Sequence, residues 1–71
     1  MPYEIRSEGT TLNIYSQRQI VQQIYSWTQK RFPCKEVFPI YANYFVQIRF
    51  AKKEIIEKYT TELEESFASQ A

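Results

Sequence analysis

Apolar and polar residues alternate near the start of the chain. Tyr3 and Ile5 are interleaved with Glu4 and Arg6, and Leu12 and Ile14 are interleaved with Thr11, Asn13 and Tyr15. A period of two turns alternate side chains to one face and predicts two strands. Between them lies Ser7-Glu8-Gly9-Thr10, which holds the one glycine of the chain. A hairpin loop needs a residue that tolerates positive φ, so the pattern reads as a β-hairpin. The alternative is a single strand with an irregular lead-in.

The period then changes. Ile20, Val21, Ile24, Trp27 and Thr28 recur at helical spacing, with Gln17, Arg18, Gln22, Gln23, Ser26 and Gln29 on the other side. Ser16 followed by Gln19 has the form of a capping box, and Tyr15 with Ile20 has the spacing of a hydrophobic staple. Lys30 and Arg31 suit the last turn, where cations meet the negative end of the helix dipole. Pro33 disfavours helical geometry at Phe32, so the helix is expected to end near Arg31 or Phe32.

Alternation returns over residues 36–50. Tyr44, Val46, Ile48 and Phe50 fall on one face of a strand, and Phe45, Gln47 and Arg49 on the other. Val37–Tyr41 also reads as a strand, but Pro39 cannot donate to a ladder, which makes it an edge or bulged strand. Ala42-Asn43 is the expected turn; Ala tolerates positive φ poorly, so a simple two-residue loop of the primed type is not expected. A second helix is expected from Ala51 or Lys52, with Ile55, Ile56, Tyr59, Leu63 and Phe67 as its apolar stripe. Lys53–Glu57, Glu54–Lys58 and Lys58–Glu62 are spaced to pair along it. Residues 68–71 are expected to fray.

The predicted fold class is α+β, in the order β-β-α-β-β-α. Each helix is apolar on one side only and needs a partner surface. The simplest solution is a small antiparallel sheet of three or four strands with two helices packed on one face. The face holding Tyr44, Val46, Ile48 and Phe50 would lie under the helices. The opposite face would be open. No internal repeat, linker or boundary is visible, so residues 1–71 are read as a single domain.

Composition narrows the chemistry. With 71 residues the core is small, and six Tyr, five Phe and one Trp are the means of filling it. Cys34 is the lone cysteine, so no intrachain disulfide forms. There is no His, and every acidic residue is Glu. A structural zinc site needs about four Cys or His ligands, so no metal is expected. Phosphate loops need several glycines and calcium loops need Asp. Acid–base and nucleophilic catalysis lack a histidine partner for any Ser or for Cys34. No catalytic residue and no cofactor are therefore assigned, and the chain reads as non-enzymatic. An unpaired thiol, no secretory leader and no run of about 18 apolar residues are read as cytoplasmic.

The charge is unevenly spread. Residues 1–53 hold eight Lys and Arg against three Glu, a balance of +5; residues 54–71 hold one Lys against five Glu, a balance of −4. A solvated amphipathic helix accounts for the acidic end.

Four features are candidates for binding. The first is the open sheet face, with Phe45, Gln47 and Arg49, extended by Phe38 and Ile40; a Phe on such a face marks an interaction surface unless a hairpin or bulge covers it. The second is the mixed aromatic and basic set Tyr41, Tyr44, Phe45, Arg49, Lys52 and Lys53, which suits base stacking and phosphate contact with single-stranded RNA or DNA. The third is the Gln-rich side of the first helix, Gln19, Gln22, Gln23 and Gln29 with Arg18. The fourth is the cluster Glu62, Glu64 and Glu65. For the third and fourth, an ordinary solvated helix surface is the simpler explanation. Together these readings favour a small adaptor, accessory or regulatory protein acting by protein–protein contact. The alternatives are a single-stranded nucleic-acid module, or a structural subunit of a larger complex or homodimer.

Overall fold

Gly9 sets the first turn. In the computed structural model, which describes residues 3–67, β1 (Glu4–Glu8) and β2 (Thr11–Tyr15) run antiparallel and close on the pair Glu8↔Thr11. The loop is therefore Gly9-Thr10 alone, two residues shorter than the turn signal spans, because Ser7 and Glu8 pair with Leu12 and Thr11. Gly9 has φ 61 and is the one described residue at positive φ, so the glycine occupies the first loop position as a type II′ turn requires.

The second hairpin corrects the sequence reading. β3 (Val37–Ala42) and β4 (Phe45–Phe50) close on Ala42↔Phe45, which puts Asn43-Tyr44 in the loop. Ala42 stays in the strand, and Tyr44 leaves the buried face assigned to it: it is 72% exposed at the hairpin tip. The loop has two residues but no positive φ, so it is not of the primed type, in keeping with the expectation.

All four strands join in one antiparallel sheet, in the order β1-β2-β4-β3. Asn13↔Gln47 is the middle rung of the central β2–β4 pair. β3 is an edge, as Pro39 demands. The Ala51 N–H donates to the Glu36 carbonyl at 3.0 Å. Along an antiparallel ladder bonded pairs alternate, so Phe38↔Arg49 and Ile40↔Gln47 are bonded pairs and Pro39 faces away from β4. Its missing donor leaves no gap in the ladder.

The chain thus repeats a β-β-α unit with little repeated sequence. Asn13 and Gln47, 34 positions apart, are equivalent across the sheet centre, and the helices begin at Arg18 and Lys53. This architectural duplication is absent from the sequence reading because the two halves share apolar pattern rather than residues.

α1 (Arg18–Arg31) starts from Gln17, which has φ −64 and ψ 150 and makes no side-chain capping bond. The expected Ser16 cap is displaced for a definite reason. The Ser16 N–H donates to the Tyr44 carbonyl at 3.2 Å and continues the β2–β4 ladder, so Ser16 stays with the sheet. The helix ends at Arg31. Phe32 is extended, at φ −119 and ψ 135, as a residue before proline should be. α2 (Lys53–Phe67) begins one or two residues later than expected.

Both helices cover one sheet face. Leu12, Ile14, Val37, Val46, Ile48 and Phe50 from the strands are buried with Val21, Ile24 and Thr28 of α1 and Tyr59, Leu63 and Phe67 of α2. Tyr59 is the hub of an aromatic cluster, with ring centroids 5.2 Å from Phe32, 5.3 Å from Phe50 and 5.5 Å from Trp27. Glu62 does not turn to Lys58. It receives the Arg31 Nε–H at 2.6 Å and ties α2 to the end of α1. Among the described residues no helix is long and apolar enough to cross a membrane. The expected fraying at residues 68–71 lies outside the described residues.

Candidate functional site: the open sheet face

The outer face of the sheet is a grid of three rows, set by register. Glu4, Tyr15, Phe45 and Ala42 form one row; Arg6, Asn13, Gln47 and Ile40 the next; Glu8, Thr11, Arg49 and Phe38 the third. Phe45, Gln47 and Arg49 therefore share this face, as the alternation of β4 implies. Each is held differently. The Phe45 ring lies 5.4 Å from the Tyr15 ring and is half-buried by it. Gln47 Nε2 donates to Asn13 Oδ1 at 3.1 Å across the central strands. Arg49 is exposed.

The face divides into two halves of different chemistry. On the β1–β2 side, Glu4, Arg6 and Glu8 alternate in sign; Arg6 approaches Glu4 at 3.4 Å and sits 5.2 Å above the centre of the Tyr15 ring. On the β3–β4 side, Phe38 is 48% and Ile40 47% exposed, beside Phe45. The single charge there is Arg49. The ion pairs among the described residues are Arg6–Glu4 and Arg31–Glu62, so Arg49 has no carboxylate partner there. Thr10, Phe38, Arg49 and Phe50 line a shallow depression of about 370 Å³ at the end of this half. Its chemistry is one guanidinium beside apolar rings.

Tyr15 was not among the binding candidates read from sequence, where it figured in a helix-start pattern with Ile20. The signal was available: Leu12 and Ile14 point inward, so Tyr15 must point outward, where it meets Phe45 across the two central strands.

The aromatic and basic set divides. Phe45 and Arg49 are on the outer face and Tyr44 is at its rim, while Lys52 and Lys53 stand at the start of α2. Tyr41 is not with them. It pairs with Val46, shares that residue's inward face, and packs 5.8 Å from the Tyr25 ring of α1. The parity that exposes Phe45 turns Tyr41 inward.

On α1, Gln19, Gln22 and Gln23 line an open depression of about 500 Å³ with Ser26, Trp27 and Lys30. Gln29 lies apart and donates to the Tyr25 hydroxyl at 3.0 Å. Arg18 is exposed at the helix start. The acidic cluster is also divided: Glu62 is engaged by Arg31, while Glu64 and Glu65 are exposed. Cys34 is a free, exposed thiol in the loop after α1.

No family model, no curated protein and no solved structure matches this chain.

Proposed function

We propose that this chain is a non-enzymatic accessory or regulatory domain that acts by protein–protein contact through the β3–β4 half of its open sheet face. The observation that carries this reading is the pairing of half-exposed Phe38 and Ile40 with an Arg49 that meets no carboxylate among the described residues, on a face that neither helix covers. Contiguous apolar side chains exposed to water mark binding surfaces. Aromatic and Arg residues are the usual anchors of such contacts. Phe45, stiffened against Tyr15, and Gln47, oriented by Asn13, present a pre-ordered surface, which lowers the entropy lost on binding. The partner that fits is a protein segment with apolar side chains and a carboxylate for Arg49.

The nucleic-acid alternative has less support. Tyr41 is turned toward α1, and the β1–β2 half of the face carries two glutamates where a phosphate backbone would pass.

The test compares the wild-type chain with Phe45→Ala/Arg49→Ala and Phe38→Ala/Ile40→Ala variants. Each is used as bait in its native source, with captured proteins quantified by mass spectrometry and folding checked by circular dichroism. A partner lost from both folded variants is the expected result; equal capture by all three overturns the assignment. Titration with mixed-sequence RNA and DNA at two salt concentrations is expected to show no salt-sensitive binding. Such binding would move the reading to nucleic acid.

A further inference from the structure

β1 is the free edge that can pair, and its side chains match a second copy of itself. The two-residue loop at Gly9-Thr10 makes Glu8↔Thr11 a bonded pair, so Arg6↔Asn13 and Glu4↔Tyr15 are bonded pairs also. Glu4, Arg6 and Glu8 thus turn their backbone groups toward β2. Ile5 and Ser7 turn theirs outward, and no described residue meets them.

The other edge is blunted. On β3 the outward positions are Val37, Pro39 and Tyr41. Val37 already donates its N–H to the Pro33 carbonyl at 3.3 Å, and Pro39 has none. Proline on an edge is a common guard against pairing. β1 holds no proline, and neither Ile5 nor Ser7 has its N–H in use among the described residues.

We propose that two copies of this chain join antiparallel along β1, about a two-fold axis through Ile5, to make one continuous eight-stranded sheet. In this register Ile5 faces Ile5 of the second copy and exchanges both backbone bonds with it. Glu4 stands opposite Arg6, and Arg6 opposite Glu4, on the outer face. Tyr3 stands opposite Ser7. Opposite charges directly across a strand pair are favourable. Centring the pair on Arg6 instead would set Arg6 against Arg6 and Glu4 against Glu8. Centring it on Ser7 would run Ile5 into Gly9 of the turn. Ladder parity allows each of these centrings, and the charge pattern together with the turn at Gly9 selects the one on Ile5. On the inner face the two Ile5 side chains, each half-buried within its own copy, meet and extend the apolar layer. The arrangement leaves Phe38, Ile40 and Arg49 free, so it stands independently of the proposed partner site.

The experiment is sedimentation equilibrium on the full chain from micromolar to millimolar concentration, at low salt. The wild type is expected to pass from monomer to dimer mass. Glu4→Arg and Arg6→Glu, each alone, place like charges opposite one another and are expected to remain monomeric. Mixed together, these two variants restore every opposite-charge pair and are expected to form the dimer. Ile5→Pro removes an N–H that the sheet of one copy does not use; it is expected to stay folded by circular dichroism and monomeric. A wild type that stays monomeric at millimolar concentration overturns the proposal. So does a dimer that survives in both charge variants, or a mixture that stays monomeric.

Discussion

The hydroxyls of Thr28 and Tyr59 meet at 2.7 Å, both residues wholly buried, and join α1 to α2 inside the core. A lone hydroxyl in that place would be left without a partner. Thr28→Val and Tyr59→Phe are each expected to destabilise the fold by about 1–3 kcal/mol, the cost of orphaning a buried polar group. The double variant, which removes both, is expected to cost distinctly less than the sum. Urea denaturation of the four proteins of the cycle measures this coupling.

Burial also raises the Tyr59 hydroxyl well above the ordinary tyrosine value of 10.0; the bond to Thr28 opposes this and the nearby Tyr3 adds to it. Tyr3 is raised too, first by burial and then by the charge of Glu64. With the folded pKa above the unfolded one, the unfolded chain loses its proton first as pH rises. The stabilisation is complete below about pH 10 and declines as pH climbs beyond it. Tyr59→Phe is expected to flatten this alkaline decline. Denaturation midpoints taken across that range for both proteins give the comparison.

Arg31 and Glu62 form a short ion pair at the ends of two helices, but the Arg31 side chain is 61% exposed. Solvent screening keeps such a pair to about 1 kcal/mol or less. Glu62→Gln is therefore expected to shift stability slightly at low salt and not at all at high salt. The salt dependence of the midpoint, wild type against variant, is the measurement.

Gly9 has φ +61 with nothing within 4 Å of where a Cβ would stand. A substitution there meets backbone strain and no clash. Gly9→Ala is expected to cost about 1–2 kcal/mol, the penalty for an L-residue in the left-handed region. Gly9→Asn is expected to cost less, since Asn tolerates that region. Thermal denaturation ranks the three.

The strands and helices were legible because period two and period 3.6 separate cleanly in this chain. The Val46, Ile48 and Phe50 alternation and the Tyr59, Leu63 and Phe67 stripe are both buried as their spacing requires. The uncovered face with Phe45, Gln47 and Arg49 followed from the same alternation. Boundaries were less legible. Tyr44 continues the pattern of β4 but belongs to the turn, since the pairing of Ala42 with Phe45 leaves only two residues for the loop. Ser16 has the chemistry of a cap, yet a rung of the sheet holds it. Tyr41 fits a mixed aromatic and basic set by proximity in sequence, while its strand parity sends it to the opposite face.

Local spacing along the chain by itself determined the element order, the apolar side of each element and the edge role of β3, because each depends on residues a few positions apart. Strand order, the contact of Thr28 with Tyr59, the meeting of Tyr15 with Phe45 and the isolation of Arg49 were decided by tertiary structure alone. They depend on which strand lies beside which, and β2 reaches β4 only after α1 has carried the chain back across the sheet. The free edge of β1 is of the same kind: its unpaired backbone groups exist because β2 turned to β4 on its other side.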